Sequence, residues 1–156
     1  MHYWLIKSEG SCYSIDDLKK DKRTSWTGVR NFQARNYMRD GMKIGDLVLF
    51  YHSNDNPSGV YGIAKVVSKP HIDESALDLK DEHYDAKAVK YKKEGKEPLW
   101  VCVDVAFVKK LKNPVSLDFI KHDSGGLSRM LVAKPGQRLS VMPMAKEHFE
   151  RVEKMG

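Results

Sequence analysis

The sequence predicts an α+β protein built on a curved or barrel-like sheet of mostly antiparallel strands, with short helices around it. Three observations carry this expectation. Short runs of branched and aromatic residues recur along the chain, turn residues punctuate them, and small capped helical segments stand in the gaps. Nothing repeats internally, and 156 residues with 41% hydrophobic side chains suit one domain over 1–156 with its own core.

Residues 3–7, YWLIK, are aromatic and branched and read as the opening strand. Ser14 then caps a short helix in SIDDLKKD, where Asp16 and Asp17 in the first turn and lysines after them suit the helix dipole. GDLVLFYHS (45–53) and GVYGIAKVVSK (59–69) are strands joined through NDNPS as an antiparallel hairpin. PLWVCVDVAFVKKL (98–111) reads as one strand, with Trp100, Cys102, Asp104 and Ala106 on one face and Val101, Val103, Val105 and Phe107 on the other. Ser116 caps a helical turn in SLDFIKHD, RLSVMPM (138–144) gives a last strand, and Phe149 with Val152 marks a final amphipathic helix. The charged stretch 70–98 has little periodicity and is expected to run over the surface.

A net charge of +6 makes an anionic partner such as nucleic acid plausible, because clustered Lys and Arg gain affinity by releasing phosphate counterions. Neither Cys12 nor Cys102 has a cysteine or histidine at ligand spacing, so no metal site, disulfide framework or cofactor is expected. The apolar run in MHYWLIKSEG is too short for a signal peptide, and no window approaches the ~20 apolar residues of a membrane span. The expectation is a soluble intracellular protein, nuclear in a eukaryote, with no membrane partner. No heptad or self-complementary patch assigns an oligomeric state.

The segment TSWTGVRNFQARNYMRDGMKIGD (24–46) is basic almost to its end. Asn31 can cap a helix from Phe32 to Asp40 that stops at Gly41, with Ala34, Tyr37 and Met38 as its apolar stripe. Arg35 and Arg39 share one face and Arg30 precedes the cap. Two readings stand side by side: the three arginines cradle a nucleic-acid backbone phosphate beside the helix N-terminus, or Arg35 and Arg39 pair with local acids such as Asp40 and lie in solvent.

The runs YWLIKSE, WTGVRNFQARNYMRD, GDLVLFYHSN, YGIAKV, YDAK, PLWVCVDV and RLSVMP, in this order over nearly the whole chain, resemble the EVE domain family of the PUA-like superfamily, which is related to YTH domains. That resemblance implies a PUA-like pseudo-barrel surrounded by helices, and a pocket for a modified nucleobase such as 5-methylcytosine or an oxidised form in DNA. Carried onto this sequence, it implies a pocket of Lys7, Ser8 and Glu9, the turn Trp26, Gly28, Val29, Arg30 and Asn31, and the strand end Tyr51, His52, Ser53 and Asn54. The chain departs from the family pattern at Gly10, where proline is usual, at Phe32 in place of tyrosine, and at Leu99 in place of arginine.

The residue types suit that task. Trp26 or Trp4 offers a face for a flipped base, although Trp4 in an opening strand also reads as core. Ser8, Asn31, Ser53 and Asn54 can donate and accept along a Watson–Crick edge, and Val29 can meet a methyl group. Adjacent Tyr51 and His52 point to opposite faces, and Lys7 has an alternative as a strand-edge side chain. No catalytic residue is assigned: there is no nucleophile elbow, P-loop or paired-carboxylate motif. Alternatives are an RNA-binding PUA-like domain, or a small-anion-binding protein or hydrolase that uses Lys7 with Ser8, or Glu9 with His52.

Overall fold

Alternating apolar runs and capped turns assemble around a sheet, seen in a computed structural model that describes residues 1–156. The strands are β1 (Tyr3–Glu9), β2 (Arg23–Ser25), β3 (Leu47–Ser53), β4 (Gly59–Val66), β5 (His71–Ile72), β6 (Val101–Cys102), β7 (Asp104–Ser116) and β8 (Val141–Met144). The helices are α1 (Ile15–Asp21), α2 (Phe32–Asn36), α3 (Ala86–Lys93), α4 (Leu117–His122) and α5 (Lys146–Met155). Six strands in the order β2-β7-β4-β3-β1-β8 curl into a half-barrel, and β5 pairs with β6 beside it. Register shifts in β3/β4 and β4/β7 bend the sheet.

All pairs are antiparallel except β1 and β3, which run parallel from Tyr3 opposite Leu47 to Glu9 opposite Ser53. A parallel pair needs a long crossover. Residues 10–46 supply it, carrying α1, β2 and α2. Leu5, Ile6, Phe50, Ile63, Met142 and Phe149 are buried in the central core. Ser14, Asn31 and Ser116 cap α1, α2 and α4 as expected, each accepting a backbone amide with its side chain.

Three elements differ from the expectation. The helix after Asn31 is α-helical only to Asn36, and Tyr37–Gly41 form a π turn in which the Met42 amide donates to the Tyr37 carbonyl. A Cβ on Gly41 would stand 2.6 Å from the Trp4 ring, so the bare backbone lets the indole pack there. The expected strand 98–111 is divided: β6 belongs to the small sheet, β7 extends to Ser116 in the large one, and Val103 between them accepts the Trp26 amide. Burial runs unbroken from Leu99 to Val103 instead of alternating. The charged excursion is partly ordered, with α3 and a second small core of Ala76, Ala88, Leu99 and Trp100.

The Trp4 indole N–H donates to the buried Asp46 carboxylate at 3.0 Å, which also accepts the His2 and Lys43 amides at 3.1 and 2.9 Å. One side chain thereby ties the start of β1 to the loop before β3. Asp46→Ala leaves a buried indole donor unmet, at a cost of about 1–3 kcal/mol. The urea midpoint is expected to fall with the slope unchanged.

Candidate functional site

Parallel pairing sets Lys7, Ser8 and Glu9 beside Tyr51, His52 and Ser53 at the ends of their strands. Against Lys7 and Ser8 the crossover lays the turn Trp26–Val29, and between them opens a cleft of about 330 Å³. Tyr13, Thr24, Ser25, His83 and Ser140 complete its lining. A volume of this order lies at the small end for ligand pockets and suits a single planar ring.

Lys7 is the cation of the cleft. Its ammonium forms no salt bridge, lies 5.6 Å from the Tyr51 ring centroid, and is held below the usual lysine range by burial. Tyr51 is itself buried, so it backs Lys7 from beneath. Trp26 packs edge-on against Phe50 at 5.4 Å and Tyr13 at 6.2 Å, while its amide donates to Val103. No buried polar side-chain atom lacks a partner, so the indole N–H, which meets no acceptor in the chain, is reached by solvent.

The turn is fixed from behind. Gly28 has φ +85°, a conformation that favours glycine, and a Cβ there would meet the His83 ring at 2.8 Å. Its amide donates to Asp73 at 2.9 Å, and Arg30 donates to the same carboxylate oxygen at 2.9 Å. Arg30 also donates to the His83 carbonyl and the Ser75 hydroxyl. Burial alone would raise the fully buried Asp73 carboxyl, but bonds from Ser75, Arg30 and Gly28 outweigh it and hold it below the usual range.

The structure thus gathers Lys7, Ser8, Trp26, Gly28 and Val29 into one cleft and leaves the other anticipated residues outside its lining. Trp4 lies in the core with Asp46. His52 is buried: its Nε2 accepts the Ile15 amide at 3.1 Å, so Nδ1 carries the proton and donates to Asp55 at 3.0 Å. Asn54 donates to Glu9 at 3.0 Å, Ser53 faces the Ser8 carbonyl, and the Asn31 side chain caps α2. Arg30 is committed to Asp73. Arg35 donates to the Leu99 carbonyl and to Asn36, whereas Arg39 forms an exposed pair with adjacent Asp40 at 2.9 Å.

Asp73 and His83 were not anticipated, because they lie in the charged stretch and reach the turn only through long-range contacts. Outside the cleft, Cys102 lies 3.7 Å from both ring nitrogens of His71, whose Nε2 is 2.8 Å from Asp104. Burial pushes that thiol up to about 12, so it stays protonated and is no nucleophile. No helix is long and apolar enough to cross a membrane.

The family model described as EVE domain matches residues 2–155. Thymocyte nuclear protein 1 of Gallus gallus is 39% identical over 96% of this chain, which spans 66% of that protein, just under two thirds of its length. The Homo sapiens protein of the same name is 36% identical, over 96% of this chain and 72% of its own. A crystal structure of a protein from Pseudomonas syringae superposes with a TM-score of 0.89 at 38% identity, covering 98% of each chain. A crystal structure of human THYN1 protein in complex with 5-methylcytosine containing DNA superposes with a TM-score of 0.86 at 35% identity, covering 99% of this chain and 97% of that one.

Removing the Asp73 carboxylate strands Arg30 and frees the Gly28 amide, so Asp73→Ala is expected to cost about 3–5 kcal/mol in chemical denaturation. The carboxyl titrates below its usual value of about 3.9. Its contribution is therefore whole above about pH 5 and is lost as pH falls through the lower folded value. Stability measured between pH 5 and 2 should fall less steeply in the variant than in the parent.

Proposed function

Since the chain belongs to the EVE domain family, we propose that it is a non-catalytic DNA-binding module that holds one modified nucleobase, such as 5-methylcytosine or an oxidised form, in the cleft between Lys7 and Trp26. The observation that carries this reading is the half-buried Lys7 ammonium, which no carboxylate neutralises. A partly buried cation without an anion gains from a ligand that supplies acceptors. The O2 and N3 edge of a cytosine supplies them. Ser8, whose hydroxyl makes only a long 3.4 Å contact to Glu9, is free to accept from the exocyclic amine. Trp26 gives the flat apolar wall, and Val29 provides the surface for a methyl group.

One methyl contributes only ~0.8 kcal/mol, about fourfold in affinity. A larger preference therefore depends on the rigidity of the Gly28 turn, which bars water from rearranging around the unmodified base. The complex of human THYN1 with 5-methylcytosine containing DNA supports DNA over RNA as the partner and a bound base over a small free anion. Hydrolysis by Glu9 with His52 finds no support in the geometry, because both ring nitrogens of His52 are engaged within the chain.

Among the three arginines, only Arg39 has no partner beyond an adjacent surface acid, and it is the one we assign to the backbone phosphate. Titration of fluorescent oligonucleotides that carry cytosine or 5-methylcytosine tests both assignments. Lys7→Met is expected to weaken binding of both oligonucleotides about tenfold, because the O2 and N3 edge is common to the two bases. Val29→Ala, in contrast, should reduce the preference for the modified base by up to about fourfold. Arg39→Ala should weaken both oligonucleotides alike and reduce the salt slope by about 1. Unchanged affinity in Lys7→Met together with unchanged discrimination in Val29→Ala would place the base elsewhere.

A further inference from the structure

Directly after the cleft's turn, α2 opens with Phe32, which is 53% exposed. An aromatic ring left this open forgoes the burial that most of its kind obtain. It is nevertheless rigidly mounted. Its ring stacks on buried Trp100 with centroids 4.8 Å apart and planes inclined by 16°. Trp100 is held in turn by its indole N–H, which donates to Asp85 at 2.8 Å.

Arg35 lies 4.7 Å from the Phe32 centroid and 5.9 Å from that of Trp100. A guanidinium on the far face of Phe32 would stand much farther from Trp100, so Arg35 flanks the two rings and leaves the outer face of Phe32 uncovered. Its Nε–H and one N–H on each terminal nitrogen are engaged by Asn36 and the Leu99 carbonyl. What it offers outward is charge. The platform is also joined to the cleft: the Arg30 guanidinium faces Trp100 at 5.4 Å and shares Asp73 with the Gly28 amide.

From this geometry we infer that Phe32 is a stacking platform for the nucleobase adjacent to the one held in the cleft. The site takes an unpaired base of either chemical type, because every base presents a π-face and the Phe32 ring carries no polar group to select an edge. Flanking Arg35 adds favourable charge for the strand that carries the base. The inference rests on the base-in-cleft reading, since that reading supplies the nucleic acid and fixes which base is the neighbour.

The test uses single-stranded oligonucleotides with a central 5-methylcytosine or cytosine and the fluorescent adenine analogue 2-aminopurine on one side or the other. The parent is expected to quench the analogue at one flank, as stacking requires. Phe32→Leu keeps apolar bulk but removes the π-face. It should abolish that quenching and weaken binding roughly tenfold, equally for methylated and plain strands and with an unchanged salt slope. Binding and quenching in Phe32→Leu equal to the parent's would overturn the platform while leaving the cleft assignment intact. Loss of methyl preference in Phe32→Leu, or a changed salt slope, would also overturn it, because the ring would then act through the cleft or a phosphate. A parent that binds no oligonucleotide would overturn both readings.

Discussion

Parallel pairing of β1 with β3 obliges the chain between Glu9 and Leu47 to travel back over the sheet, and one wall of the cleft is carried on that return path. The same pairing sets the ends of both strands side by side, so Lys7 emerges above Tyr51 rather than into open solvent. An antiparallel hairpin would have needed no crossover. The crossover is long, and without a fastening its turn would be free to choose among conformations.

Asp73 is that fastening. It reaches the turn from the excursion and accepts from Gly28, Arg30 and Ser75 at once. A buried carboxylate is costly unless every oxygen is satisfied, and here the donors come from both partners to be joined. The excursion contributes more than a cover: it supplies the anion that immobilises the turn, His83 in the lining of the cleft, and Asp85, which holds Trp100 beneath Phe32.

Features decided by neighbours in sequence were legible. The caps at Ser14, Asn31 and Ser116 follow from local chemistry, and the hairpin from two periodic runs around a turn. The set of Lys7, Ser8, Trp26, Gly28 and Val29 came from the family resemblance, because no periodicity brings residue 7 to residue 28. Asp73 and His83 were illegible, since the stretch around them is charged throughout and α3 buries only Ala88. Trp4 and His52 show the converse difficulty. Both carry chemistry suited to a ligand, yet a carboxylate 42 residues away from Trp4 and an amide 37 residues away from His52 engage them within the fold. The π turn at Tyr37–Gly41 follows from packing beneath Trp4, which only the assembled fold supplies.

The contact between Gly28 and His83 imposes an asymmetry on how the two positions can change. A side chain at 28 is opposed twice, by the left-handed backbone and by the imidazole 2.8 Å from where its Cβ would lie. Shrinking the residue at 83 removes one obstacle and leaves the other. Position 83 can therefore drift in size while 28 stays glycine, but 28 cannot follow. On the side of the cleft where the turn meets His83, the opening is then adjusted from the excursion, with the turn as its fixed edge.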